Sequence, residues 1–433
     1  MSHVSSKLCR TTALAAVLVA LTASGCATTS GGSADSGGNA KSFTYWSMWT
    51  RNEPQAQVLQ SAIKQFTTDT GVKVDVQWQG RKVLDKVGPA MLSGDAPDLV
   101  DQGWDQLMPT LGANGQLQDL SPVLTMDAGD GKTVKDVVPG KLLSLLPSAK
   151  GVRTWLIPYE TTTVSLFYNG KNPLVTQPPK TFDDLVRICA AAKAQGKVCI
   201  GSDADQGWAS QYWFDYLLNR NGGSVADIAG DRSGAAFKDP KVLKTAQQVE
   251  SLVKAGYLGD EYDATKYPEQ ENNWAAGKSV FFLMGSWLPS ETKQFLAPGF
   301  QVRSVDFPAT DDPSRTGLDV IPFGFAVPKG ADHAAAAEQF IAYFLRKDQL
   351  TGISTQAGNI TPRADIQAPA ELADAAQQAQ QNPVRLADDN VDNDWRDKVL
   401  VPQFNKLWLG TADADAFVAD GAKADADYWK AKG

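Results

Sequence analysis

Histidine is nearly absent from this chain, whose 433 residues include only His3 and His333. His3 lies in an N-terminal segment with the character of an export signal. A Ser-His-Asp or Cys-His hydrolase would therefore have to use His333. The sequence also lacks a Gly-x-Ser-x-Gly elbow, a phosphate-binding loop and a His-Glu-x-x-His run. These absences argue against the common hydrolytic and nucleotide-dependent chemistries, and we expect no catalytic residue, no cofactor and no metal site.

Runs of positive charge are also missing. The formal net charge is −8 and the isoelectric point is about 5.0, so neither nucleic acid nor anionic lipid is expected as a partner. From Phe43 onward no apolar stretch is long enough to cross a bilayer. That part of the chain, about 390 residues, is too long for a single hydrophobic core, so at least two lobes are expected.

The N-terminus has the anatomy of a secretory signal. Lys7 and Arg10 precede an apolar run, residues 13–21, that is too short for a lasting transmembrane helix. The run leads to Ala23-Ser24-Gly25-Cys26, which resembles the lipobox of bacterial lipoproteins, although that motif usually has Leu where Ala23 stands. The resemblance implies that residues 1–26 form a lipoprotein signal and that Cys26 carries lipid, including palmitate. An ordinary cleaved signal with a chance cysteine is the alternative.

Residues 27–42 are expected to form a flexible tether. They are nearly all Gly, Ser, Ala, Thr and Asn, and such a segment cannot bury enough apolar surface to fold. A single acyl chain holds a protein only marginally, so the mature N-terminus should carry more than one. We therefore expect an exported protein on the extracellular face of the cell membrane, touching it only through the lipid anchor.

The four cysteines fit an exported protein. Cys9 would leave with the signal and Cys26 would carry lipid, which leaves Cys189 and Cys199. An even pair in an oxidising compartment predicts a disulfide between them, and two buried free thiols are the alternative. Their spacing matches no zinc-binding pattern.

Hydrophobic periodicity predicts alternating strands and helices. The expected strands cover residues 43–49, 72–78, 98–100, 166–169, 198–200, 279–283 and 325–327. The expected helices run from Pro54 to Gly71, from the capping Thr181 onward, from Pro240 to Gly256, from Ala334 to Leu345, and through much of the chain after Ala370. This alternation is typical of doubly wound α/β lobes.

Several short motifs then occur in order along the mature chain. They are residues 70–74, 93–100, 115–120, 157–169, 178–185, 274–278 with 285–287, 324–327 and 359–363. Through them the chain resembles the extracellular solute-binding proteins of carbohydrate importers, in the maltose-binding-like cluster. That family more often has Phe where Trp274 stands. The resemblance covers almost the whole mature chain, but it does not name the sugar.

The resemblance implies an α/β fold of two doubly wound lobes joined by crossing hinge segments, as in class II periplasmic binding proteins. The crossings would fall near 159–164, 321–325 and 359–363. The expected boundaries are 43–160 for lobe I, 161–324 for lobe II, 325–362 for a return to lobe I and 363–433 for C-terminal helices of lobe II. A monomer of this kind would close on a saccharide and deliver it to the membrane permease of an ABC importer.

The first lobe supplies one group of candidate ligand-binding residues. Sugars present apolar faces and a rim of hydroxyls, so their receptors need aromatic plates and fixed polar groups. In open α/β sheets, ligands bind beyond the carboxyl ends of the strands. The candidates that follow the first three strands are Trp46, Trp49, Arg51, Glu53, Gln79 with the neighbouring Arg81, Asp101 and Trp104. Core packing of the tryptophans and a solvated turn at Gln79 are the alternatives.

The crossings and the second lobe supply the other candidates. The crossings contribute Tyr159, Glu160, Phe323 and Arg363. Trp208 and Tyr212 would share one helix face, with packing in the second lobe as an equal alternative. Trp287 is the strongest single candidate, because it follows a buried strand and two small residues that expose it.

Two other functions remain open from the sequence. A lipid-anchored glycoside hydrolase would also place two carboxylates in an aromatic cleft. A surface adhesin would bind no small ligand saturably. The many aromatic residues favour a di- or oligosaccharide over a monosaccharide, with xylo- or cello-oligosaccharides as the first candidates.

Overall fold

The computed structural model describes residues 40–203, 207–386, 391 and 393–433. The predicted lipidation site Cys26 and the side chain of the candidate Trp208 lie outside this description. The strands are β1 (Ser42–Ser47), β2 (Lys73–Trp78), β3 (Leu99–Gly103), β4 (Ile157–Asn169), β5 (Val198–Gly201), β6 (Ser279–Gly285), β7 (Val302–Val305), β8 (Leu318–Ala326) and β9 (Pro383–Val384). Within the described ranges, no helix has both the length and the apolar character needed to cross a membrane.

The helices cover both faces of the strands. They are α1 (Pro54–Thr70), α2 (Val83–Ser93), α3 (Trp104–Leu107), α4 (Val134–Val137), α5 (Gly140–Leu145), α6 (Phe182–Ala194), α7 (Gly207–Arg220), α8 (Val225–Asp231), α9 (Pro240–Lys254), α10 (Glu269–Ala275), α11 (Leu288–Thr292), α12 (Ala334–Phe344), α13 (Lys347–Thr355), α14 (Ala373–Gln381), α15 (Asn393–Trp395), α16 (Val401–Trp408) and α17 (Ala414–Lys432). Short 3₁₀ and π segments connect several of them.

Local sequence signals set several of these helix ends. Helix α1 begins at Pro54, whose fixed φ suits a first helical residue, and ends where Gly71 takes a left-handed φ of 77°. Helix α6 begins after Thr181, which forms a capping box with Asp184. The predicted starts of α1, α6, α9 and α12 are therefore confirmed.

The strands form two α/β lobes. In the first, β1 pairs in parallel with β2 and β3. In the second, β5 pairs in parallel with β6. The strand order is β2-β1-β3-β8-β4-β6-β5, so β8 and β4 stand between the two sets.

Strands β4 and β8 connect the lobes because each is long enough to pair on both sides. Near its start β4 pairs with the end of β8, and that end of β8 also pairs with β3. Near its end β4 pairs with β6 and β7. The sequence predicted only the last four residues of β4 and the last part of β8. The remainder was missed because a strand buried on both faces lacks the alternation that marks a half-exposed strand.

A disulfide joins Cys189 on α6 to Cys199 on β5. It ties a helix of the second lobe to the strand that follows it. Both cysteines are buried.

Removing this disulfide is expected to lower the free energy of unfolding by about 2–3 kcal/mol, because the cross-link restricts a loop of ten residues in the unfolded chain. Urea denaturation of the Cys189→Ala/Cys199→Ala double variant measures the loss. Wild-type protein kept in reductant is the matched control and should lose a similar amount. Two free thiols in a non-reduced digest, read by mass spectrometry, would contradict the bond.

Candidate functional site

A cavity of about 1190 Å³ opens where β4 and β8 connect the two lobes. The first lobe contributes Met48, Trp49, Glu53, Pro54, Gln55, Arg81, Gln102, Asp105 and Gln106 to its wall. The crossing region contributes Glu160, Thr162, Ile321, Phe323 and residues 354–359. Tyr212, Trp287, Pro289, Ser290, Glu291, Lys293, Gln367, Ala368, Pro369, Glu371 and Leu372 complete the wall. Seven of the predicted ligand-binding residues meet here: Trp49, Glu53, Arg81, Glu160, Tyr212, Trp287 and Phe323.

A chain of buried hydrogen bonds fixes Trp49, which lies just beyond β1. Its indole Nε1 donates to the Tyr159 hydroxyl at 2.7 Å, and that hydroxyl donates to Asp101 Oδ2 at 2.6 Å. The other oxygen of Asp101 accepts from the Met48 amide at 2.9 Å. Burial raises the pKa of Asp101, whereas these hydrogen bonds favour its ionised form. Asp101 and Tyr159 therefore lie behind the cavity wall and hold Trp49 in position, although the sequence predicted them as ligand contacts.

Arg81 and Glu53 form a polar edge beside Trp49. The Arg81 guanidinium lies 4.5 Å from the centre of the Trp49 ring, pairs with both Glu53 oxygens and donates to the Met48 carbonyl at 3.0 Å. Burial would raise the pKa of Glu53, but the Arg81 and Thr50 hydrogen bonds outweigh it and hold that pKa below its ordinary value. Glu53 is thus an anion at neutral pH, with its charge largely balanced by Arg81.

The floor of the cavity lies on β4 and the loop before Pro362. A bulge between Pro158 and Glu160 shifts the register of β4 against β8. Tyr159 then turns into the core, while Glu160 lines the cavity, which is a common effect of a bulge. Asn359 also lines the floor, and its neighbour Ile360 accepts a hydrogen bond from the Thr161 amide at 2.8 Å.

Burial raises the pKa of Glu160 to about 8. Gln55 and Arg81 oppose this shift, and the charges of Asp101 and Glu53 add to it. Glu160 is therefore mostly protonated at pH 7, and a protonated carboxyl can both donate and accept hydrogen bonds.

Trp287 faces the cavity from the second lobe, directly after β6. A side-chain carbon at Gly285 would lie only 2.1 Å from the Trp287 ring, so the ring can occupy its position only because residue 285 is glycine. Ser286 fixes the strand end, because its amide donates to the Thr163 carbonyl at 2.8 Å. Tyr212 on α7 joins Trp287 on the same side of the cavity. Gly285 thus leaves the room that the Trp287 ring occupies beside the cavity.

Four first-lobe candidates lie off the cavity wall. Trp46 is half-buried against the core, and Arg51 is exposed in the turn after β1. The Gln79 side chain bonds to Gln77 and Lys86 along the surface. Trp104 is buried, with the Arg385 guanidinium 5.1 Å from its ring centre. The sequence located the strand ends but not the direction of each side chain, and these four side chains do not line the cavity.

Arg363 is also placed away from the cavity, in a buried polar site. Its guanidinium makes two hydrogen bonds of 2.8 Å to Asp365 and donates to the carbonyls of Ala128 and Leu345 at 3.1 and 2.9 Å. Four of the five N–H groups of this guanidinium are therefore used within the protein. Asn359, four positions earlier in the same segment, lines the cavity instead.

The sequence analysis missed several polar residues of the wall: Gln55, Asp105 and Asn359. Asp105 follows the candidate Trp104 in the first turn of α3, directly after β3, so the strand-end rule could have found it. Gln55 and Asn359 carry no local signal, because a polar residue in a helix or loop is ordinarily solvated.

The sequence profile of the family described as "Bacterial extracellular solute-binding protein" matches residues 50–351. A diacetylchitobiose-binding protein, NgcE, of Streptomyces coelicolor is 25% identical over 305 residues, which are 66% of this chain and 57% of that protein. A maltodextrin-binding protein, MdxE, of Bacillus subtilis is 24% identical over 259 residues, 56% of each chain. The alignments thus span little more than half the length of these relatives.

Solved structures of sugar receptors share the fold. The bacterial solute receptor AcbH superposes with a TM-score of 0.73 at 18% identity, over 90% of this chain and 98% of that one. A cyclo/maltodextrin-binding protein complexed with maltotetraose gives 0.70 at 17% identity, over 91% and 98%. At such identities these likenesses concern the fold alone. Because the family profile covers well over half of the sequence, this chain belongs to the bacterial extracellular solute-binding proteins.

Proposed function

We propose that the protein is a lipid-anchored receptor that captures a di- or oligosaccharide and delivers it to an ABC importer. The observation that carries the proposal is the composition of the cavity wall. Aromatic side chains on both lobes and at the crossing, namely Trp49, Trp287 and Phe323, stand among carboxylates and amides. Apolar plates with fixed polar groups suit the C–H faces and hydroxyl rim of a sugar.

The size of the cavity favours more than one sugar ring. Its volume of about 1190 Å³ exceeds the roughly 300–1,000 Å³ typical of sites for drug-sized ligands. Relatives named for diacetylchitobiose and maltodextrin binding add these two classes to the xylo- and cello-oligosaccharides that the sequence suggested.

A thermal-shift screen followed by titration calorimetry tests the proposal. The screen uses diacetylchitobiose and the malto-, cello- and xylo-oligosaccharides of two to six units, with glucose, xylose and N-acetylglucosamine as monomer controls. At 100 times its Kd, a ligand should stabilise the protein by about 2.7 kcal/mol. Sugars recovered after incubation should keep their chain length, whereas shortened products would favour the glycoside hydrolase. The absence of any stabilising sugar would contradict the receptor.

Lobe closure is the proposed mechanism. We assign lobe I to residues 43–160 and 325–362, and lobe II to 161–324 and 363–433. Ligand can shift the protein toward a closed form only if that form binds it better, so both lobes must contribute contacts. Trp49, which follows β1 of the first lobe, and Trp287, which follows β6 of the second, both line the cavity and would supply these contacts.

We expect the radius of gyration to shrink when the right sugar is added, because closure brings the lobes together around it. Small-angle X-ray scattering with and without ligand measures the change. A monosaccharide that fails to bind is the matched control. Tight binding without any change in the scattering curve would contradict closure.

Cys26→Ser is expected to release the protein from the membrane fraction, because the substitution removes the proposed lipidation site. Cell fractionation followed by immunoblotting measures the distribution. Cys9→Ser is the matched control, since it alters a cysteine within the signal but leaves the lipobox intact. Unchanged membrane association of the Cys26 variant would contradict the anchor and favour an ordinary cleaved signal.

A further inference from the structure

The floor of the cavity contains buried oxygens that have no hydrogen-bond partner within the protein. They are Glu160 Oε2 and Asn359 Oδ1, and Asp105 Oδ1 adds a third at the edge of the floor. The Glu160 and Asn359 side chains are 1% and 3% exposed, and all three residues line the cavity. A buried acceptor without a partner costs free energy, so acceptors gathered at one wall suggest that a ligand supplies the missing donors.

Strand pairing orders these groups across the floor. Phe323 on β8 pairs with Gly103 on one side and with Glu160 on the other, so the three residues form one row across neighbouring strands. A side-chain carbon at Gly103 would lie 2.4 Å from Asp105 Oδ1, which places that oxygen at the β3 end of the row. Beyond Glu160, the Thr161 to Ile360 bridge brings Asn359 to the other end.

Adjacent strands are about 4.8 Å apart, so Asp105 and Glu160 lie on either side of the Phe323 strand. One apolar ring between two sets of acceptors matches a pyranose, which has an apolar face and hydroxyl donors around its rim. A carboxylate would instead bring only acceptors to the same wall.

The charge of the cavity wall also favours a neutral sugar over an acidic one. The described residues of the wall include two bases, Arg81 and Lys293, and the acids Glu53, Asp105, Glu160, Glu291 and Glu371. Arg81 is already paired with Glu53. Even without Glu160, which is mostly protonated at pH 7, these acids outnumber the two bases, so an acidic sugar would meet more like charge than opposite charge.

We propose that Asp105, Phe323, Glu160 and Asn359 form a subsite for a neutral sugar ring, which rests on Phe323 and donates hydroxyl hydrogen bonds to Glu160 and Asn359, and that this subsite rejects uronic acids. The inference rests on the proposed function and names the ligand class of the same cavity. The raised pKa of Glu160 is consistent with it, since a protonated carboxyl pairs well with a hydroxyl.

Titration calorimetry at pH 7 tests the subsite. The neutral probes are diacetylchitobiose, maltotriose, cellotriose and xylotriose, and the acidic probe is trigalacturonate. The best neutral probe should bind at least about 100-fold more tightly than trigalacturonate, because like charges across an interface cost several kcal/mol. Glu160→Leu and Asn359→Leu should each weaken the best neutral probe by about tenfold, the loss of a hydrogen bond in a buried site.

Two readouts separate ligand binding from a structural role. Glu160→Gln keeps both a donor and an acceptor, so its affinity should stay within about threefold of wild type. The ligand-free Glu160→Leu protein should melt close to wild type, because removing a buried oxygen that has no partner offsets the loss of the hydrogen bond from Gln55. A residue needed only for folding would lower the melting temperature instead.

The outcomes distinguish failure of the subsite from failure of the proposed sugar-receptor function. Trigalacturonate binding as tightly as the best neutral probe would overturn the subsite while leaving a sugar receptor in place. Wild-type affinity in both leucine variants would do the same. If none of the five probes binds, the proposed function fails and the subsite fails with it.

Discussion

Trp287→Ala is expected to weaken sugar binding by at least about tenfold while leaving the fold intact. Trp287 provides the aromatic surface of the second lobe, and removing a central aromatic anchor commonly costs about 2 kcal/mol or more, roughly thirtyfold in Kd. The fold should tolerate the change because the ring is only partly buried and stands at the end of β6, beside the cavity. Titration calorimetry with the best sugar from the screen measures the loss.

Gly285→Ala offers a second test that keeps the indole. The added carbon would lie 2.1 Å from the Trp287 ring, so the ring must move. Binding should therefore weaken although every cavity side chain is still present. Trp46→Ala is the matched control, because Trp46 lies off the cavity wall, and it should bind like wild type once folded. Wild-type affinity in Trp287→Ala would show that this ring is not the second-lobe contact.

Arg363→Met is expected to lower the free energy of unfolding by about 3–5 kcal/mol, the usual cost of breaking a buried ion pair on one side. The Arg363 side chain is fully buried and bonds to Asp365 and two main-chain carbonyls. Its hydrogen bonds hold the Asp365 pKa well below the ordinary value, even though burial opposes that shift. Without the guanidinium, the Ala128 and Leu345 carbonyls would lose this donor, and Asp365 would keep only its pairing with Lys132. Urea denaturation measures the loss.

The same variant tests whether Arg363 stabilises the fold or contacts the sugar. If Arg363 is structural, the folded fraction of Arg363→Met should bind sugar within about twofold of wild type, since affinity then depends on the cavity wall alone. Arg187→Met is the matched control, because its guanidinium pairs with Asp184 at an exposed site and should cost at most about 1 kcal/mol. A stable Arg363 variant that has lost sugar binding would restore the ligand-binding interpretation.

The sequence by itself determined many of the helices and strands and their order along the chain. Hydrophobic periodicity, Pro54, Gly71 and the Thr181–Asp184 pair locate α1, β2 and α6, because each signal acts within one or two turns of chain. The order of short motifs was enough to indicate the family. The position of Trp287 also followed from local sequence, since a buried strand ending in two small residues exposes whatever comes next.

Only the tertiary structure decided which side chains face the cavity. The bulge in β4 turns Tyr159 into the core and Glu160 toward the cavity, and no local sequence pattern predicts this bulge. Arg81 lines the cavity because it pairs with Glu53 and Trp49, whereas Gln79 does not line it. The sequence could not show this difference, because these partners lie about thirty positions from Arg81. Side-chain direction in a strand changes with every residue, so it depends on long-range register, whereas helix and strand propensity depends on near neighbours.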